Sequence, residues 1–300
     1  MLLILILYAL TGSTFVFGEA AVRYMPPVFF VMTRMFLAGG LILGYQYFKN
    51  RASLRIKKKD WLIIFYISFL LLFLAYVTEF WALQYVTGAK VALLWNLSPF
   101  ITAIFAYYSF KEEMTFKKFL GLLIGFFGFI PILIEPAARE KLIYSMFSLS
   151  WAEMFLIIGI IASAYGWILF KFAMDRGYQP LVINGYAMII AGFLSLIVSL
   201  MFENWSPFPI SYWFISCWYI FYLTLVGNII CYNLYGYLLK RYSTTYLSFC
   251  GFITPIFTAI MQYFYFGTSI GIPFVVSLIL VSIGLYIFYQ EELRQGYIKQ

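Results

Sequence analysis

The sequence contains no histidine, only three cysteines, and few charges: 11% of its 300 residues are Asp, Glu, Lys or Arg, against 64% hydrophobic. Without histidine there is no His-based catalytic triad and no His-ligated metal site. Cys217, Cys231 and Cys250 all lie inside apolar runs, which excludes a disulfide framework and a cysteine metal cluster. No GxxxxGK[ST] phosphate loop occurs, so no ATPase within the chain drives it. No loop pairs carboxylates at the spacing a hydrolase needs. The shortage of charge also leaves no room for the surface of a soluble domain of this size.

Apolar runs of about 18 residues or more fill the chain instead, each long enough for a hydrocarbon core about 30 Å thick. They do not alternate apolar and polar residues as the strands of a membrane barrel do. The first run starts at Met1, with no basic residue before it and no small-residue cleavage site, so it reads as a retained helix and not a signal peptide. The pattern predicts an all-α membrane protein with ten transmembrane helices, at 2–22, 28–48, 61–84, 91–110, 117–135, 150–171, 181–202, 213–239, 244–266 and 272–289. Pro26-Pro27, Pro180, Pro207 and Pro209 mark turns between them. Fifteen of the twenty basic residues fall in one set of loops, among them Lys49, Arg51, Lys111, Lys118, Lys171 and Arg176; Arg23, Lys90, Arg139 and Lys141 fall in the other, and Arg34 lies inside a span. The positive-inside rule then puts both termini in the cytoplasm. The net charge of +8, with its Lys57-Lys58-Lys59 cluster, reads as this topology signal and not as a nucleic-acid site.

The chain repeats itself. Residues 95–104 (Trp-Asn-Leu-Ser-Pro-Phe-Ile-Thr-Ala-Ile) return 156 positions later as Gly-Phe-Ile-Thr-Pro-Ile-Phe-Thr-Ala-Ile, and the same offset aligns Tyr76 with Tyr232, Leu83 with Leu239 and Gly128 with Gly284. Nearer the start, an offset of 153 aligns Phe17 with Phe170, Arg23 with Arg176 and Pro27 with Pro180. A unit of five spans copied once must enter the bilayer from the opposite side, as in carriers that hold their solute between inverted halves. The expected organisation is a first repeat at 1–135, an extracytoplasmic linker at 136–149, a second repeat at 150–290 and a cytoplasmic tail at 291–300.

Gly12-Ser13-Thr14-Phe15-Val16, Thr33-Arg34-Met35-Phe36-Leu37-Ala38, Ala82-Leu83-Gln84-Tyr85-Val86, Ser98-Pro99, Glu112 with Thr115, and Gly121 with Gly128 together resemble the first repeat of an EamA-type drug/metabolite transporter. The resemblance covers nearly the whole chain. It implies ten helices in two inverted five-helix repeats, a central cavity open to one side at a time, and a solute drawn from amino acids, nucleotide sugars, drugs or other metabolites. The sequence departs from that pattern at Thr268, where the second repeat usually carries an acidic residue like Glu112, and in its carboxylates at Glu19 and Glu79.

Charges within a bilayer cost about 2.5 to 3.5 kcal/mol each on insertion scales, so each calls for a partner or a role. Glu19 and Arg34 are expected at similar depth, as a structural ion pair, with Glu19 also a candidate for binding solute. Glu79 is then surplus negative charge, with Tyr76 one turn before it on the same face. A ring face and a carboxylate together suit a cationic or zwitterionic solute. Trp95, Ser98 and Thr102 share one face of the fourth span and Asn96 and Pro99 the next; Pro99 and Pro255 are expected to kink a related pair of cavity-lining helices. Asn228, Tyr232 and Asn233, and Tyr165 and Trp167 opposite Thr11, Ser13 and Thr14, are further polar or aromatic candidates for the cavity. Gly121 with Gly125 and Gly40 with Gly44 read as close helix contacts.

These residues point to a secondary carrier that takes up or exchanges a cationic or zwitterionic metabolite with an apolar or aromatic part through the lipid bilayer of a bacterial inner membrane; amino acids and S-adenosylmethionine fit that description and are solutes that the resemblance implies. It would need no cofactor or metal, and a coupling proton or a counter-substrate would supply the driving force. A multidrug efflux carrier, a lipid-modifying enzyme and a non-transporting membrane subunit are the alternatives.

Overall fold

A computed structural model describes residues 2–86, 91, 94–128, 130, 150–205, 212–266 and 272–297. The 136–149 linker, Thr268 and the end of the tail lie outside the described residues. Within them the chain is helical throughout, with no strand. Helix α1 (Leu2–Ala21) is followed by α2 (Pro27–Asn50), α3 (Trp61–Ile67), α4 (Ala75–Ala82), α5 (Ser98–Phe110) and α6 (Phe116–Phe127). The second half holds α7 (Trp151–Asp175), α8 (Pro180–Phe202), α9 (Trp213–Leu223), α10 (Tyr232–Leu238), α11 (Thr244–Cys250), α12 (Thr254–Phe266) and α13 (Ile272–Arg294). Wide-pitched π segments, Ser68–Leu74 and Thr224–Cys231, join α3 to α4 and α9 to α10. Their starts are 156 positions apart, the offset found in the sequence. A π segment rotates all that follows it, so it re-aims the residues of α4 and α10.

Among the described residues, seven stretches are long and apolar enough to cross a bilayer: Leu2–Ala21, Pro27–Leu54, Lys58–Ala82, Trp151–Asp175, Pro180–Phe202, Trp213–Leu238 and Val275–Arg294. The span expected at 244–266 is also one continuous helical run, with a 3₁₀ turn in its middle, whereas those expected at 91–110 and 117–135 fall partly outside the described residues. Prolines shape two of these three. Asn96 and Leu97 form a turn, and Pro99 sits in the first turn of α5; likewise the short 3₁₀ turn Gly251–Ile253 precedes α12, whose second residue is Pro255. A proline there costs nothing, because its missing N–H has no partner within the helix anyway. The expected kinks therefore fall at these tightened turns, where the backbone stays in the right-handed helical region just before each proline.

Helix ends are held by side chains of other elements. Glu203, just past α8, accepts from the backbone N–H of Val28 and Phe29 at 2.7 Å each, satisfying two orphan donors at the start of α2. A capping box of Ser150 and Glu153 opens α7, and Thr115 and Ser243 cap α6 and α11. At the lysine-rich end, Asp60 pairs with Arg176 and accepts from Tyr178 at 2.7 Å, and Gln46 donates to Gln179 at 3.1 Å.

Helix α2 packs along α8, α6 along α13, α1 along α12 and α7 along α5. Small residues allow the closest of these contacts. A methyl group on Gly284 would stand 2.5 Å from the carbonyl oxygen of Gly121 and 2.7 Å from the amide nitrogen of Gly125. Gly121 is thus a contact residue as expected. Gly40 and Gly44 are not: nothing lies within 4 Å of a methyl group added to either, and Gly39 makes the approach to α8 instead, at Gly185 and Ile189. The helix face turned toward α8 is one residue away from the one the spacing proposed. Gly284→Val is accordingly expected to lower the apparent melting temperature of purified protein by the equivalent of about 1–3 kcal/mol of overpacking, since backbone must move to admit it. Gly40→Ala, in open space, is expected to stay within about 0.5 kcal/mol of the parent in the same melt.

Candidate functional site

A cavity of about 200 Å³ lies where α1, α4, α7 and α10 meet the two proline-bearing segments. Its wall carries seven of the ten residues expected to bind solute: Tyr76, Glu79, Trp95, Asn96, Ser98, Trp167 and Tyr232; Pro99, Pro255 and Arg34 line it too. The remaining three are elsewhere. Glu19, partly exposed, pairs at 3.7 Å with Arg23, in the turn just past the end of α1, so the expected Glu19–Arg34 pair does not form. Tyr165 is 39% exposed and packs edge-on against Phe105. Trp167 is two residues further, about 200° around the helix, so both could not face inward. Asn228 is fully buried behind the wall, where it holds Arg34.

One end of the cavity is charged. Arg34, on α2, reaches across to the π segment of the second half: its Nε and Nη2 donate to Asn228 Oδ1 at 3.0 and 2.8 Å, and Nη2 also to the Leu223 carbonyl at 3.4 Å. The rings of Phe30, Tyr76 and Phe80 surround its guanidinium at 5.0, 5.3 and 5.3 Å, a geometry in which the ring faces offset part of the desolvation cost. Glu79 lies within electrostatic range of Arg34 but the two do not close an ion pair. Its carboxylate is half-buried, and the Trp95 indole approaches it without completing a hydrogen bond.

From there an aromatic ladder runs along the wall. Tyr76 stacks on Phe80 at 6.0 Å and leans on Tyr232 at 5.9 Å; Trp167 lies over Tyr232 at 5.3 Å and over Tyr235 at 3.9 Å. Tyr76 and Tyr232, equivalent in the repeat, thus touch at its centre. Polar groups opposite the ladder are mostly spent on backbone: Thr11 donates to Leu7 and Thr14 to Thr11, each at 2.8 Å. Ser13 faces Tyr222 instead, and Asn233 accepts from Asn184, so neither belongs to the cavity wall. Ser98 and Thr102 both meet Ser248 at 3.3 Å, tying α5 to α11. Tyr8, Ser163, Tyr235, Ser248 and Phe252 line the cavity and were not expected there. Tyr235 follows Tyr232 by three positions and Tyr8 precedes Thr11 by three, so helical spacing from a candidate already chosen would have found both.

The cavity thus joins a charged end to an aromatic wall. A family model described as "EamA-like transporter family" matches residues 1–134 and 150–290. The chain belongs to the EamA-like transporter family. It is an integral membrane protein and a transporter of a small organic molecule, not an enzyme. Over 292 residues the transporter is 33% identical to the S-adenosylmethionine/S-adenosylhomocysteine transporter of Chlamydia muridarum, covering 96% of this chain and 90% of that one. The protein of the same description from Chlamydia trachomatis serovar L2 is also 33% identical, over 96% of this chain and 88% of its own. The uncharacterized transporter YyaM of Bacillus subtilis is 26% identical over 92% of this chain and 88% of its own. A protein of known crystal structure superposes with a TM-score of 0.76 at 17% identity, over 98% of this chain and 97% of that one, which supports the fold alone.

Proposed function

We propose that this transporter exchanges S-adenosylmethionine for S-adenosylhomocysteine, by alternating access about the cavity, in a bacterial plasma membrane with both termini in the cytoplasm. The observation that carries the substrate is Glu79 on one cavity wall with Tyr76 and Tyr232: a carboxylate among aromatic rings attracts an organic cation, and the ladder toward Trp167 and Tyr235 offers apolar ring area for a purine. The Chlamydia relatives are named for that pair of solutes. Exchange suits a chain without an ATPase motif, because the outgoing solute then supplies the gradient.

The mechanism rests on ten spans in two inverted repeats, 1–135 and 150–290. Three features support that arrangement. The π segments and the turns before the prolines recur at the same offset, α1 packs on α12 as α7 packs on α5, and α2 and α8, counterparts in the repeat, lie along each other. Rocking of one half against the other would expose the chamber to each side in turn.

Counterflow tests the reading. Proteoliposomes preloaded with unlabelled S-adenosylhomocysteine are expected to take up labelled S-adenosylmethionine at least tenfold faster than empty ones, with no response to an imposed pH gradient. Uptake that follows the pH gradient and ignores the internal solute would replace exchange by proton coupling. Failure of both adenosyl solutes, with transport of hydrophobic cations, would make the protein an efflux carrier.

A further inference from the structure

We infer that Arg34 is the carboxylate anchor of the chamber, so that the solute binds through an α-amino-acid end: its carboxylate on Nη1 of Arg34 and its ammonium toward Glu79. This rests on the transport reading above and adds to it the group recognised.

The guanidinium is 2% exposed, and within a bilayer a charge so placed needs compensation. The groups that meet it, the Asn228 amide, the Leu223 carbonyl and the Tyr76 hydroxyl, are neutral, as are the three rings around it. Both bonds to Asn228 use the Nε–Nη2 edge. Nη1 is left buried without a hydrogen-bond partner, at the wall of the cavity. A buried donor left unmade costs about 1 to 3 kcal/mol, and more when it is charged, which is a reason for a ligand to complete it. Among the described residues, two other side-chain atoms on the same wall are buried and unpartnered, Trp95 Nε1 and Asn96 Nδ2. All three are N–H donors, so a solute that completes them brings acceptors.

A structural role alone would predict a closed Arg34–Glu79 pair, since two opposite charges in a dry site gain most in contact. They stay apart. A zwitterion between them completes both charges head to tail. It also joins the halves, because Arg34 stands on α2 while Asn228, which orients it, stands in the second half. Gly227 makes room for this: a methyl group there would lie 3.1 Å from Arg34 Nη2.

The test is competition for uptake of labelled S-adenosylmethionine into proteoliposomes, by S-adenosylhomocysteine and by its decarboxylated analogue. Wild-type protein is expected to prefer the acid at least tenfold. Arg34→Gln is expected to lose most uptake and to accept the two competitors within about twofold of each other, a collapse that general destabilisation does not produce. If that variant does not insert, Gly227→Ala, which presses on the guanidinium, is expected to weaken the acid and spare the analogue. Equal competition by both in wild type, or preference for the acid surviving in Arg34→Gln, overturns the anchor. A protein that ignores every adenosyl compound overturns the proposed substrate. The anchor is then judged on phenylalanine against phenethylamine, where preference for the acid sustains it and indifference sinks it.

Discussion

Uptake of labelled S-adenosylmethionine by Glu79→Gln is expected to fall at least tenfold, and in the direction of a hundredfold. Glutamine keeps the shape, removes the charge and turns one acceptor oxygen into an NH2 donor. In a chamber of low dielectric the loss of one charge-assisted contact is worth about 1.4 to 2.8 kcal/mol, which is ten- to a hundredfold in affinity. S-Adenosylhomocysteine lacks the sulfonium charge but keeps the ammonium, so the two solutes are expected to suffer alike if Glu79 faces the ammonium. A loss confined to S-adenosylmethionine would move the contact to the sulfonium. Unchanged transport by correctly inserted Glu79→Gln protein would remove the carboxylate from the mechanism altogether.

The second large effect is on stability. Lys118 is 1% exposed and paired with Glu292, which is fully buried, and the ring of Tyr297 lies 4.5 Å from the ammonium. Removing one partner of a buried pair leaves the other charge uncompensated, at about 3 to 5 kcal/mol. Lys118→Met is therefore expected to melt far below wild type or to fail to accumulate as a monodisperse protein in detergent. The double variant Lys118→Met with Glu292→Leu is expected to regain most of that loss, because a buried pair replaced by apolar side chains of similar size is often neutral. Equal melting of the single variant and wild type would show that the pair is solvated in the native protein.

Lys118 also shows how far the sequence reading reaches. As one of fifteen basic residues in one set of loops it served as a marker of topology, and nothing in its neighbourhood announced a buried partner 174 residues away. Arg34 is the converse case. Its placement inside an apolar run was enough to mark it as costly, but the nearest carboxylate along the chain, Glu19, was the wrong partner. The true neighbours, Asn228 and Leu223, come from the other half of the molecule. Tyr76, Trp95, Asn96 and Tyr232 were found because each carried two independent marks: a polar or aromatic group within an apolar run, and a place in or beside the repeat. Tyr165 had only the first and points away from the chamber.

What the residues determine by themselves is what local composition and spacing control. Long apolar runs with few charges make helices for a bilayer, since each helix satisfies its own backbone. A sequence said twice at one offset makes two like units, and Ser98-Pro99 and Thr254-Pro255 each follow a tightened helical turn because proline lacks an N–H. Helical periodicity further tells which side chains share a face. It does not tell which face turns inward, because that depends on what stands across the gap, and lipid is no more apolar than the interior it competes with. The choice of Asn228 for Arg34, the gap between Arg34 and Glu79, and the exclusion of Tyr165 and Glu19 were decided only when the two halves packed together.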